Sequence, residues 1–310
     1  TGRATGEDEN DGKTITTTEG QTNYVEIYNS ANLEITSIVV APYIVSTNQE
    51  ITIIMTVSNT GVGGAVGVEP GTFTIFNSGT GDASLVSGPT PASVSIAAGI
   101  SREFTWVYNA TSAGTIWFSN NAKGYNEANG VTISAVAAWS NTIEVQGEVS
   151  LVSDLRAEPS QVSIGEFIQV IMTVTNNGDA LAESVLPVTP AVSGGGNAVV
   201  VGSGPSPQNI TGHTQAYFTW TFSASAKGII NFATQATGYD YNSKVTKTSN
   251  VATSNNVLIQ EPAQLTSYIN AEPSIVKEKE DIITVYMTVT NVGEAEAINV
   301  VPSLTGTGGP

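Results

Sequence analysis

The chain has 310 residues, 40% of them hydrophobic, which is enough apolar material for roughly two to three domains with packed cores. Asp and Glu number 27 against 10 Lys and Arg, a net charge of −17 that repels nucleic-acid phosphates and anionic lipid headgroups. No run of about 18 apolar residues and no cysteine occurs, so neither direct membrane insertion nor a disulfide or thiolate site is expected.

In chain order, the first segment reads as a piece of a repeat. Residues 4–28 align without a gap to residues 236–260. Ala4-Thr5-Gly6 matches Ala236-Thr237-Gly238, Asp8 matches Asp240, Asn10 matches Asn242, Thr14 and Thr16 match Thr246 and Thr248, and Val25 and Ile27 match Val257 and Ile259. Residues 1–30 are therefore expected to be the last hairpin of a preceding module. The acidic run Glu7-Asp8-Glu9-Asn10-Asp11 lies in this segment. Oxygen-rich loops of that kind can hold calcium, which takes about six to eight oxygen ligands. The run lacks EF-hand spacing, and its counterpart at 239–244 keeps only Asp240 and Asn242. An exposed hairpin tip is expected, with no metal and no cofactor.

The string Met-Thr-Val-Ser/Thr-Asn-x-Gly then occurs at 55–61, 172–178 and 287–293, with separations of 117 and 115 residues. A period of that length is the size of a two-sheet β-sandwich. It divides the chain into a module at 31–148, a second at 149–262 and the first strands of a further one at 263–310. Around each string, apolar residues alternate with others: Ile51, Ile53, Met55 and Val57; Ile168, Val170, Met172 and Val174; Ile283, Val285, Met287 and Val289. Such alternation puts them on one face of a strand, toward a core. Asn-x-Gly reads as turn chemistry, because Asn and Gly tolerate positive φ. Pro42, Pro159 and Pro273 are expected to start each module at an edge or bend.

Within the modules, Phe104, Trp106 and Tyr108, and likewise Phe218, Trp220 and Phe222, alternate along a strand with an aromatic inner face. Gly114 and Gly228 are expected to turn the chain into the next strand, at 116–118 and 230–232. Gly124-Tyr125 and Gly238-Tyr239 follow, then closing strands near 143–145 and 257–259. No segment sustains a helical stripe, so the fold class is all-β with about seven strands per module.

The pairing of Met-Thr-Val-Thr-Asn-x-Gly with a later Phe-Thr-Trp strand and a Gly-Tyr turn resembles CARDB-like immunoglobulin-like repeats. These occur in tandem in bacterial and archaeal cell-surface proteins. The resemblance spans nearly the whole chain. It implies tandem immunoglobulin-like β-sandwiches with partial modules at both ends, in an exported stalk, adhesin, S-layer or filament protein at the cell surface. The family has no shared catalytic residues, and none is transferred.

The remaining candidate residues carry little chemistry. His213 is the single histidine and lacks the partners of a triad or zinc site; it is expected to be a solvated loop residue. Asn109 and Asn209 open N-glycosylation sequons, fewer than the roughly five expected by accident in so hydroxyl-rich a chain. Ile54, Ile171 and Tyr286, each preceding the repeated Met, point away from the core, as does Trp117, where the second module has Asn231. They are expected either to pack under a neighbouring loop or to contact another module or subunit. No enzyme is found.

Both ends leave a module incomplete. Burial of the four apolar residues of the third Met strand is worth roughly 1.5–3 kcal/mol each, so something must cover them. One candidate is a flanking module of the same long chain. The other is a second copy of the chain, complementing in trans by strand addition. Measured against the second module, the two ends together lack roughly 36 residues, including the Phe-Thr-Trp strand, which favours an excerpt of a longer array. Linkers near 146–150 and 261–264 are short, so the array should be a semi-rigid rod. The leading expectation is a structural segment of an extracellular filament, stalk or S-layer-like polymer. The alternatives are an adhesin or carbohydrate-binding stalk, or an accessory region of a large secreted hydrolase.

Overall fold

Alternating apolar and hydroxyl side chains give each segment one face that leaves water and one that keeps it. The chain accordingly folds as strands, with no helix among the described residues. A computed structural model describes residues 1–23, 27, 29–277 and 281–306. Two separate cores form, one running from Ala31 to Val145 and the other from Val149 to Ile259. Each is a tandem unit of the immunoglobulin-like sandwich type.

In the second unit, Leu151–Glu158, Phe167–Asn176, Gln215–Ala226 and Asn197–Val201 pair in that order as one sheet. Facing them are Gln161–Ser163, Val257–Gln260, Gly228–Thr234 and Ala191–Gly194. A further group carries the order Gln208–Ile210, Ala182–Pro187, Ala236–Asp240 and Thr246–Thr248. Near both the first and the last strand the chain runs parallel to itself: Gln161–Ser163 beside Val257–Gln260, and Ile44–Ser46 beside Ile143–Gln146. Every other pairing within the units is antiparallel.

The Met strands are Glu50–Asn59 and Phe167–Asn176. Ile51, Ile53, Met55 and Val57, and Ile168, Val170, Met172 and Val174, are all fully buried. Phe104, Trp106, Phe218 and Trp220 face them across the pairing, Met55 opposite Phe104 and Met172 opposite Phe218.

Several expectations need correction. Nine and thirteen strands stand against the expected seven or so per unit; the unbroken Ser101–Asn126 of the first corresponds in the second to Gln215–Ala226, Gly228–Thr234 and Ala236–Asp240. Gly114 makes no turn: it lies within one strand, Ser101–Asn126, at φ +141°, and Gly228 occupies the same kink at φ +135°. Only glycine sits easily there. Gly124-Tyr125 and Gly238-Tyr239 belong to strands, with the turns following them. Pro42, Pro159 and Pro273 do not open the units. Each follows the first strand (Leu33–Ala41, Leu151–Glu158, Leu265–Glu272), through a cis peptide bond.

Among the described residues the third copy forms one hairpin, Leu265–Glu272 with Thr284–Asn291. Here the expected inward face is not buried: Ile283 lies outside the strand and is 50% exposed, Val285 41% and Met287 37%, with Val289 half-buried. The pattern is right for a core, but no second sheet faces it among the described residues. At the other end, Thr5–Glu7 pairs with Thr14–Thr16, Thr5 opposite Thr16, as Thr237 pairs with Thr248. Val25 and Tyr28 lie outside the described residues, and Ile27 is exposed.

Asn-x-Gly is not a positive-φ turn; its chemistry is different. Asn176 is fully buried. Its Oδ1 accepts from the amides of Ser150 (3.2 Å) and Gly178 (3.1 Å), and its Nδ2 donates to the carbonyls of Ala180 (2.8 Å) and Ile210 (3.2 Å). Asn59 does the same with Asn32, Gly61, Gly63 and Ile96. Asn291 binds Gln264, Gly293 and Ala295. The glycine is required by close approach. A Cβ on Gly178 would lie 1.9 Å from the Glu148 carbonyl oxygen, and one on Gly293 2.0 Å from that of Pro262. Replacing Asn176 by Ala strands buried partners, each costing about 1–3 kcal/mol. Urea unfolding of Asn176→Ala should therefore show the second unit destabilised by ~3 kcal/mol or more, with the first unit unchanged.

Candidate functional site

A buried polar constellation lies where one unit meets the next. Asp240, the last residue of the strand Ala236–Asp240, has no exposed surface. Its carboxylate accepts the Ser46 hydroxyl of the preceding unit at 2.8 and 2.9 Å, and the amide of Val149 in the linker at 2.9 Å. Within its own turn it accepts the amides of Asn242 and Ser243, each at 3.0 Å. Asn242 Nδ2 donates to Gln146 Oε1 (2.9 Å) and to the Ser46 hydroxyl (3.2 Å). One loop therefore fastens three pieces: its own unit, the preceding unit and the linker between them.

A second carboxylate secures the same linker from the outside. Asp179 Oδ2 accepts the amide of Gly147 at 2.7 Å, while its Oδ1 meets His213 Nε2 at 2.8 Å. His213 was expected to be a solvated loop residue, and it is exposed in a loop, with Asp179 as its hydrogen-bond partner. It also adopts φ +59°, where the first unit has Gly99 at φ +72°. The His213 hydrogen bond, then the Gly147 amide, hold the Asp179 carboxyl below the usual carboxylate range. At the next joint Glu294 takes this role, accepting the Glu261 amide at 3.0 Å, with Lys227 Nζ 2.9 Å away in place of the histidine.

The other candidate residues are dispersed. Asn109 is half-buried in mid-strand between Glu50 and Ser84. Asn209 is exposed, and its Oδ1 accepts the Ser184 amide at 2.9 Å. Ile54 and Ile171 are half-buried on the outer sheet face, beside Val39 and Thr105 and beside Arg156 and Thr219. Tyr286 is 58% exposed opposite Asn270. Trp117 stacks on Phe76 (centroids 6.1 Å apart, planes at 14°), and Phe76 meets Trp139 at 4.7 Å. The second unit has a Ser193–Asn231 hydrogen bond at that place. Asp8 caps its own turn through the Asn10 amide, and Asp11 pairs with Lys13 at 2.9 Å. Among the described residues, no group of three or more His, Asp or Glu side chains is placed to hold a metal ion.

Sequence reasoning missed Ser46, Gln146, Asp240 and Asn242 as a unit. The signal was present in the recurrence of Asp-x-Asn at 8–10 and 240–242, which reads as a solvated hairpin tip when the neighbouring unit is out of view.

No known sequence family matches the chain, and no curated protein matches it. Solved structures that align include one described as BspA_C_mut, with 9% identity and a TM-score of 0.29, over 74% of this chain and 99% of that one. The C-terminal domain of the Streptococcus pyogenes antigen I/II-family protein AspA aligns at 11% identity and a TM-score of 0.29, over 73% of this chain and 100% of that one. A Salmonella alpha-2-macroglobulin mutant aligns at 13% identity and a TM-score of 0.28, over 78% of this chain and 17% of that one. At such scores they carry no weight for function.

Burial pushes the Asp240 carboxyl up. The amides of Ser243 and Val149, the Ser46 hydroxyl and the Asn242 amide outweigh it and hold the group below its ordinary value. An unfolded aspartate titrates near about 3.9, so the stabilisation is fully present above that pH and is lost as pH falls through the lower folded value. Hydrogen exchange, corrected for intrinsic rate, should show the Val149 amide protected at neutral pH and opening in acid. Asp240→Ala should remove the protection at every pH.

Proposed function

We propose that this chain is a structural segment of an extracellular cell-surface stalk, filament or S-layer-like polymer, built from tandem immunoglobulin-like units. The observation that carries the reading is the buried Asp240 carboxylate, shared between two units and the linker joining them. A freely jointed string has no use for a desolvated carboxylate at its hinge, since burial is costly unless every oxygen is partnered. The repeat of a linker-capping acid at the next joint (Asp179, then Glu294) supports the same reading. The work of such a chain is geometric: spacing and stiffness. Acidic, hydroxyl-rich surfaces suit an extracellular location and discourage indiscriminate association. Immunogold labelling should place the protein outside the cell, on regular fibres or a lattice seen by electron microscopy. Label confined to the cytoplasm would overturn the proposal.

A second reading, a glycan-binding stalk, is favoured by the Phe76, Trp117 and Trp139 cluster on the outer face of the first unit. Trp139 is 57% exposed, and the second unit is polar at the corresponding pair. Aromatic faces of this kind stack on apolar ring faces. On a glycan array the chain should then give signals that Trp117→Asn lowers at least tenfold; a blank array removes the reading.

A further inference from the structure

The two edges of one sheet in the second unit are unlike. Along Leu151–Glu158, backbone groups that face away from the neighbouring strand are taken up by side chains. Asn250 Oδ1 accepts the Ser153 amide at 2.8 Å, and its Nδ2 donates to the Ser153 carbonyl at 3.0 Å. Asn255 does the same for Ala157, at 2.9 and 3.0 Å. Asp154, Arg156 and Glu158 stand exposed along this edge. Occupied backbone groups and charged side chains keep a sheet edge from pairing with another chain. The opposite edge, Asn197–Val201, has neither protection. It pairs with Gln215–Ala226 on one side, and among the described residues no group bonds its other side. Its register is regular from Ala198 to Val201, with Ala198 opposite Ala224 and Val200 opposite Phe222. Alternation turns Ala198 and Val200 toward the core and Val199 and Val201 away from it. Val200 is nevertheless 38% exposed, because nothing lies beyond this rim, and Val199 is 54% exposed. Residues 184–226 contain no Asp, Glu, Lys or Arg, in a chain of net charge −17. In the first unit the corresponding strand, Thr74–Thr90, carries Asp82 and shifts register four times between Gly79 and Thr90. Such bulges also discourage edge pairing.

We infer that Asn197–Val201 is a docking edge for the same strand of a second copy of this chain, paired antiparallel about a two-fold axis. A strand edge offers donors and acceptors in alternation and is its own complement once turned antiparallel. Charge decides the occupant. A basic partner finds no carboxylate on this edge and many elsewhere on the chain. Another copy, equally acidic, is repelled over most of its surface and meets least repulsion where both faces are uncharged. The pairing joins two four-stranded sheets edge to edge, and the inward Val200 of each copy gains the apolar neighbour its rim lacks. This inference goes beyond the stalk reading above, since it needs only the fold of the second unit. Five residues a side fall well short of the roughly 20–30 of a stable complex, so the association is weak and concentration-dependent.

Sedimentation velocity of the full chain should show monomers giving way to dimers as concentration rises. Dimers should form more readily at about 0.5 M salt than at about 0.02 M, because screening removes the like-charge repulsion. Val199→Lys should weaken dimerisation at least about tenfold. That substitution makes the chain less negative, so overall charge would push the other way. Val152→Lys, on the protected edge of the same sheet, should leave dimerisation unchanged. Hydrogen exchange of the unsubstituted chain supplies a reading that does not depend on how a variant folds: amides within Asn197–Val201 should gain protection as concentration rises. A chain that stays monomeric up to about 1 mM overturns the inference. So do dimers that salt weakens, dimers indifferent to Val199→Lys, or exchange in this strand that concentration does not alter. Cytoplasmic immunogold label would leave this edge standing, and a strictly monomeric chain labelled at the cell surface would leave the stalk reading standing without it.

Discussion

Each unit depends on one buried amide side chain. The asparagine that ends the Met strand of each complete unit, Asn59 or Asn176, makes four hydrogen bonds to backbone, reaching the incoming chain, the glycine two residues on and the loops beyond. That binds the entry of the chain to the centre of the sandwich. The glycine after it lets the linker backbone pass within contact of the strand's end, where any side chain would collide. The point at which the linker joins each unit is thus fixed inside that unit's own fold.

The joints then add chemistry that differs in detail and agrees in plan. Each has a carboxylate capping a linker amide and a basic side chain bound to that carboxylate, His213 at one and Lys227 at the other. These outer pairs are exposed, so they contribute little energy. Asp240 is different because its carboxylate is withdrawn from water and shared. Desolvation makes a misplaced neighbour costly, so the carboxylate selects one arrangement of the two units.

The strand faces were legible in the sequence wherever burial follows local periodicity, as along 51–57 and 168–174. Legibility failed where a residue's role depends on something far away in the chain. Asn176 looked like turn chemistry because its partners, Ser150 and Ile210, are distant in sequence. Gly114 looked like a turn because a kink and a turn share the same local signal. Asp240 looked like a loop tip because its burial is supplied by another unit. Met287 and its neighbours carry the pattern of a core without the sheet that would make one. Phe76, Trp117 and Trp139 come together only because register aligns three strands.

The parallel pairing of Ile44–Ser46 with Ile143–Gln146, and of Gln161–Ser163 with Val257–Gln260, bears on how a string of such units meets tension along the chain. Tension enters a unit near one member of the pair and leaves through the other, in opposite directions along strands that run side by side. The rungs between them are loaded in shear and must fail together, whereas antiparallel strands pulled from one end would open one rung at a time. Resistance to pulling is a matter of rate rather than of equilibrium stability, and here it resides in two short ladders. A sandwich without disulfides gains in this way a mechanical lock at the place where tension along the chain would act.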